Sequence, residues 1–471
     1  MNSKEFRQIG KELIDKIADY FDQIEDYPVK SQVKPGEILG QIPSNAPVQG
    51  EEFPDIIMDF DNIIMPGMTH WQHPRFFAYF TANNSFPSLL GEMLTAALGA
   101  QCMIWETSPA AAELEEAMMN WLRDMIGLPK EFTGCIQDTA STATLVSILT
   151  ARESRTNYHI NHSGFGKQPT YRLYCSTEAH SSIEKAAKIA GIGRSNVVKI
   201  PVDSNFAMVT SELEYAIKTD INNGNVPLAV IAAFGTTSTT AIDPIDEIGE
   251  ICRKYSVWLH VDAAFAGSAL VLPEIRPLLK GMEYVDTFVF NPHKWMFTNF
   301  DCSAYFVRNK ETLIRTFEIM PEYLKTGSDS VVNNYRDWGI QLGRRFRALK
   351  LWFVLRSFGV EGIQSRIREH IILAEELRKK IEEHSDFEIA APSPFNLVCF
   401  RYKPHGIDDI NELNELNESL HKKLNATGKI YLTHTKLNNL YTLRMVIGQT
   451  NVSREHVEFA WELICKMVKG I

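Results

Sequence analysis

The sequence predicts an α/β protein. A large central domain on a mostly parallel sheet is preceded by a helical arm and followed by a smaller α+β domain. Three observations predict this. From about residue 90 onward, short apolar runs alternate with amphipathic segments: "YRLYCS" before "SSIEKAAKIAG", "NVVKIPV" before "SELEYAIKTDINNG", "LAVIAAFG" before "PIDEIGEICRKYS". That alternation lays helices on both faces of a parallel sheet. Near the N-terminus an apolar stripe has no partner close by in sequence. Toward the C-terminus long helices mix with short strands.

In order along the chain, residues 1–85 form the arm. Phe6, Ile9, Leu13, Ile17, Tyr20 and Ile24 recur at spacings of three and four, one face of a helix. Proline-containing connections follow, and a second subunit is the expected cover for the stripe. Residues 86–343 form the large domain. Residues 344–471 carry "RRFRALKLWFVLRSFG" and "SRIREHIILAEELRKKIEEH" as helices, "FNLVCFRY" and "YTLRMVIG" as strands, and a closing helix. Over the 471 residues, 45% are hydrophobic and 23% charged, an ordinary globular balance. A net charge of −10 disfavours nucleic acid and anionic membranes as partners. No run of about 18 apolar residues predicts a membrane span, and the N-terminus has no apolar core of a signal peptide. Seven scattered cysteines without a CxxC pair suggest reduced thiols and a cytoplasmic protein. No ligand spacing for a metal, no GxSxG elbow and no GxxxxGK[ST] loop appears.

Ligands of open α/β sheets bind beyond the strand C-termini. Polar clusters stand at such ends here: "GTTS" after "AVIAAF", "DAA" after "WLHV", "NPHK" after "TFVF". Lys294 in "NPHKW", Asp262 in "HVDAA" and His180 in "STEAHSS" all follow strands. "DTASTATL" opens a helix with hydroxyls at Thr139, Ser141 and Thr142, and Asp138 is positioned to cap it. Each residue alone has a plainer reading, as a solvated strand end, a cap or a packing histidine. Together they supply what pyridoxal phosphate requires. A lysine forms the Schiff base, a carboxylate keeps the ring nitrogen protonated, an imidazole covers the ring, and a helix start with hydroxyls takes the phosphate.

The chain resembles the group II pyridoxal-phosphate decarboxylases, and among them the aromatic-L-amino-acid decarboxylases. The matching text runs nearly end to end: "EFRQIGKELIDKIADY", "IIMPGMTHWQHPRFFAYF", "AHSSIEKA", "LHVDAAFAGSA", "FNPHKWMFTNFDCSA", "PEYLK" and "LGRRFRALKLWFVLRSFGVEG". The resemblance implies a pyridoxal-phosphate-dependent transferase-like large domain of the aspartate aminotransferase type. It implies a homodimer with the active site at the interface and the arm wrapping the partner. Lys294 would carry the cofactor, Asp262 pair with its ring nitrogen, and His180 stack on the ring. Thr139, Ala140, Ser141, Asn291 and His293 would hold the phosphate, and Thr237 and Ala264 would line the ring. "PEYLKTGSDSVVNN" matches a mobile catalytic loop whose tyrosine, Tyr323, returns a proton to the substrate carbon.

For the substrate, Trp71, Tyr79 and Phe80 match the family's aromatic pocket. Several positions depart from the catechol-preferring animal enzymes. Thr81 and Ala82 stand where those have proline and threonine, Met103 where they have phenylalanine, and Asp138 replaces a glycine beside the phosphate. Asn396 occupies a selectivity position where glycine or serine is usual. Loss of a hydroxyl at Ala82 favours tryptophan and phenylalanine over dopa. Histidine decarboxylation, an aldehyde-forming variant and a cofactor-free scaffold on the same fold are the alternatives.

Overall fold

The structure, a computed structural model, describes residues 1–319 and 332–469. It divides into two compact units. One comprises Met1–Thr81, Glu375–Ala390 and Cys399–Ile471, the other Ala82–Ala374 and Ala391–Val398.

The larger unit is organised by a seven-stranded sheet. Its strands are β1 (Thr133–Gln137), β2 (Tyr171–Ser176), β3 (Val197–Ile200), β4 (Val226–Ala233), β5 (Trp258–Asp262), β6 (Thr287–Phe290) and β7 (Ser303–Val307). They lie in the order β1-β7-β6-β5-β4-β2-β3. The pairs from β6 through β3 are parallel, and β7 runs antiparallel to both β1 and β6. The apolar runs are continuous because helices cover both faces; every residue of β6 and β7 is buried. The helix Ala140–Arg155 packs across the middle of this sheet, burying Ala143, Val146 and Ile148.

Register decides what the sheet presents. Ala233 pairs with Asp262 and Asp262 with Val289, so β4, β5 and β6 end abreast. Gln137 at the end of β1 pairs with Ser303, and Phe290 pairs with Ala304. The turns after β1, β4, β5 and β6 therefore leave the sheet along one edge.

The smaller unit holds, apart from the first two residues of β9, a four-stranded sheet in the order β10-β11-β9-β8, from β8 (Phe387–Ile389), β9 (Leu397–Tyr402), β10 (Thr433–Leu437) and β11 (Leu440–Val446). The N-terminal arm belongs to this unit because its backbone bonds there. Val29 N–H donates to Gly428 O at 2.7 Å, Phe77 N–H to Tyr431 O at 2.9 Å, and Val446 N–H to Phe77 O at 3.0 Å. The first helix, Ser3–Asp22, is capped by Asn2 and Glu5 acting reciprocally. It buries none of its side chains, and Phe6 is 69% exposed. The long helical stretch Arg347–Glu382 is broken at Gly359, whose φ of 65° lies in the left-handed region that glycine tolerates.

Candidate active site

Lys294 is placed by a short helical turn, Pro292–Trp295, directly after β6. The turn is pinned on both sides. Asn291 N–H donates to Ala264 O, and Lys294 N–H to Asn291 O, each at 2.9 Å. From the other side Asn83 N–H donates to His293 O at 3.1 Å, and the Asn83 amide to Lys294 O at 2.8 Å. Beneath it Trp295 is fully buried, stacked on Phe265 at 4.9 Å, with its indole N–H donating to His370 Nδ1 at 2.9 Å. This packing leaves the lysine little conformational freedom at its Cα.

Lys294 keeps intermediate exposure, yet desolvation lowers its pKa, and the nearby Asp262 carboxylate only partly opposes this. Asp262 closes β5, and one of its oxygens accepts the Ala264 N–H at 3.0 Å. His180 lies within electrostatic reach of both groups. Desolvation lowers its pKa most, Asp262 raises it, and Lys294 lowers it further. His180 Nδ1 accepts the Ser182 N–H at 3.1 Å, with Ser182 Oγ at 2.8 Å. A ring nitrogen that accepts a backbone N–H carries no proton, so the neutral ring bears its hydrogen on Nε2. The structure thus gathers an amine, a carboxylate and an imidazole read from three separate strand ends.

The helix Ala140–Arg155 begins beside them. Thr139, not Asp138, is its N-cap: Thr139 Oγ1 accepts the Thr142 N–H at 3.3 Å. Asp138 instead accepts the Thr139 N–H at 2.6 Å and is held by the Gln341 amide at 3.3 Å. A side-chain cap reaches forward two or three residues, and Asp138 stands one position too early for it. Ala140 and Ser141, in the first turn, have no intrahelical carbonyl to donate to, and Ser141 is exposed. Asn291 reaches this corner through Ser303, whose hydroxyl lies 2.7 Å from Asn291 Oδ1 and 3.3 Å from Asp138 O. His293 is committed to the backbone. Its Nδ1 accepts the Cys302 N–H at 2.9 Å, and burial pushes its pKa down to about 3.

Thr237 is exposed on a tight turn closed by the bridge between Phe234 and Ile242. Ala264 is of intermediate exposure immediately after Asp262. Asn396 is fully buried in the Ala391–Val398 segment. That segment fastens to the Thr237 turn through Ser393 and Thr240 hydroxyls at 2.9 Å and the Phe395 and Phe234 rings at 5.7 Å. Ala82 precedes Asn83 and so lies next to the Lys294 turn. Met103 O accepts the Arg336 N–H at 2.8 Å. Trp71, Tyr79 and Phe80 belong to the smaller unit. There Trp71 and Tyr79 stack at 5.7 Å and 18°, and Tyr79 shares a 3.2 Å hydroxyl contact with Tyr431. Phe80 lies under the Arg444 guanidinium at 5.6 Å. Tyr323 lies outside the described residues.

Sequence reasoning missed Asn83, Ser303 and Tyr431. The polar pair "NN" before a helix was an available sign for Asn83. Ser303 opens β7, and Tyr431 forms an isolated bridge with Phe76 just before β10; neither has a local signal.

The family model described as the pyridoxal-dependent decarboxylase conserved domain matches residues 35–403. The chain belongs to the pyridoxal-dependent decarboxylase family. It is 43% identical to the aromatic-L-amino-acid decarboxylase of Mus musculus, covering 100% of this chain and 99% of that protein. The crystal structure of Catharanthus roseus tryptophan decarboxylase in complex with L-tryptophan matches with a TM-score of 0.93 at 38% identity, covering 100% and 99% of the two chains. That of Oryza sativa TDC with PLP and tryptamine matches with a TM-score of 0.97 at 34% identity and the same coverage.

Pyridoxal phosphate is the cofactor of this family. The residues present fit it. The desolvated amine of Lys294, the Asp262 carboxylate, the His180 ring and the first-turn amides of Ala140 and Ser141 are the groups that would hold it.

Proposed function

We propose that this decarboxylase converts aromatic L-amino acids to arylethylamines and carbon dioxide, with Lys294, Asp262 and His180 as its central residues. The observation that carries the reading is the amine of Lys294, desolvated and facing Asp262 at the edge where the strands end abreast.

Each residue has a chemical task. A lowered pKa leaves Lys294 a larger neutral fraction, which is the nucleophilic form that holds the cofactor covalently. Asp262 holds a proton on the cofactor's ring nitrogen. His180 covers the ring as a neutral imidazole, its Nε2–H available to a substrate carboxylate. Ala140 and Ser141 offer backbone N–H groups at the positive end of a helix, and Thr139, Ser141 and Asn291 add polar side chains for the phosphate. Thr237 and Ala264 line the ring. When bound, pyridoxal phosphate supplies a conjugated, electron-withdrawing ring that accepts the electron pair left at Cα as carbon dioxide departs. Tyr323 then gives its proton to Cα, so one proton replaces the lost carboxylate and no oxidant is consumed.

We assign Trp71, Tyr79 and Phe80 to recognition of the aromatic substrate, and Ala82, Met103 and Asn396 to selectivity for its size and polarity. Without a hydroxyl at Ala82, tryptophan and phenylalanine are preferred to dopa. The enzyme works as a cytoplasmic homodimer. Support comes from the uncovered helix Ser3–Asp22 and from Phe86, Leu90, Met93, Leu94 and Leu98, all exposed on one further helix. All seven cysteines are free, in keeping with a reducing compartment.

The test is a panel of Trp, Phe, Tyr, dopa and His compared by kcat/KM, with carbon dioxide, amine, aldehyde and peroxide measured together. Amine in step with carbon dioxide, and Trp or Phe foremost, is expected. Aldehyde with peroxide would overturn the reaction assignment, and a strong preference for dopa or His would overturn the pocket assignment.

A further inference from the structure

β1 is one of the two edge strands of the large sheet, and among the described residues β7 is its one neighbour. An edge strand turns alternate backbone groups away from the sheet, and a buried edge must satisfy them elsewhere. At Ile136 this is done by an ion pair. Glu115 Oε1 accepts the Ile136 N–H at 2.8 Å, while Arg344 Nη2 donates to Ile136 O at 2.7 Å. The two side chains grip each other bidentately, at 2.7 and 3.1 Å, and are 2% and 8% exposed. The Arg344 guanidinium also lies 4.8 Å from the centre of the Tyr335 ring.

Ile136 stands three positions before Thr139. The two residues between them are tied to the same segment of chain as Arg344. The Gln137 amide donates to Trp338 O at 3.1 Å, and the Gln341 amide to Asp138 at 3.3 Å. The backbone of Arg344 makes a further link: its N–H donates to Gln101 Oε1 at 2.6 Å, and its carbonyl accepts the Cys102 N–H at 3.0 Å.

Burying an ion pair rarely gains stability over well-packed apolar side chains of similar volume. Apolar side chains cannot, however, pair with both backbone groups of Ile136. We propose that the Glu115–Arg344 pair stands in for the missing strand beside β1 and thereby positions the phosphate-holding residues Thr139, Ala140 and Ser141. Both are positioning residues, since neither is placed against the cofactor. The proposal rests on the phosphate assignment made above and extends it to a pair remote in sequence from every motif.

The test compares two ligands on cofactor-stripped protein, pyridoxal phosphate and unphosphorylated pyridoxal, by absorbance titration. The wild type must form a visible band with pyridoxal phosphate and bind it far more tightly than pyridoxal; without this the phosphate assignment itself fails. Glu115→Gln is then expected to weaken pyridoxal phosphate about tenfold while pyridoxal changes less than about twofold. Arg344→Lys, which keeps the charge but loses the fork, is expected to do the same more mildly. Should either fail to fold, Gln341→Ala removes only the half-buried tie to Asp138 and is expected to weaken pyridoxal phosphate about threefold. A general loss of stability moves both ligands equally. Equal loss for both ligands, or no change for either in the variants that fold, overturns the proposal.

Discussion

Asp243 follows the turn that carries Thr237 and is 1% exposed. Its two oxygens accept the Met208 N–H at 2.8 Å and the Ala233 N–H at 2.7 Å. Burial outweighs these bonds and pushes its pKa up from 3.8 to about 6. The shift is about two units, and at ~1.4 kcal/mol per unit it corresponds to about 3 kcal/mol. Its sign follows from the folded carboxyl holding its proton more tightly than the unfolded one. The stabilisation from that proton is fully present below the unfolded value of 3.8 and is lost as pH rises through about 6. Asp243→Asn replaces the carboxyl by a neutral group of the same shape, whose amide nitrogen cannot accept the second backbone N–H. That lost bond costs the variant the same at every pH, so the stability of the variant relative to wild type should rise by about 3 kcal/mol between pH 4 and pH 7. Urea midpoints at the two pH values measure this, together with hydrogen exchange at the Met208 and Ala233 amides. A difference between variant and wild type that is the same at both pH values would refute the reasoning.

Two further perturbations act on the Lys294 turn. Lys294→Met should abolish the visible cofactor band and lower kcat by on the order of 10³-fold or more, while stabilising the cofactor-free protein at neutral pH. The sign follows from the lowered pKa: a desolvated ammonium opposes folding at pH below that pKa, and the penalty fades as pH approaches 10.5. Thermal unfolding of both cofactor-free proteins checks it, and a destabilised variant would contradict the desolvation argument. Trp295→Phe removes the donor to His370 and leaves space under the lysine. A loss of about 2–4 kcal/mol is expected from the lost buried hydrogen bond and the cavity, read as a lower urea midpoint.

Much of the site could be read along the chain because strand ends announce themselves locally. "TFVF" before "NPHK" and "WLHV" before "DAA" mark where apolar β-structure stops and polar turns begin, which needs no knowledge of neighbours. Asp138 shows where local reading fails. Its type suits a cap, but capping depends on backbone geometry, and that gave the role to Thr139. Ser303 joins Asn291 to Asp138, and Asn83 holds the Lys294 turn, each across a long stretch of chain. No periodicity records such contacts.

By itself the sequence determined the alternation of strands and helices, the order of the chemical groups along the chain, and the class of cofactor they suit. These follow from hydrophobic period and residue type, which act over a few positions. Only the tertiary structure decided that Ala233, Asp262 and Val289 end abreast, that desolvation lowers the Lys294 pKa, and that Glu115 and Arg344 close the edge of β1. Register, desolvation and edge pairing arise from neighbours brought together by folding, so no stretch of the chain read alone contains them.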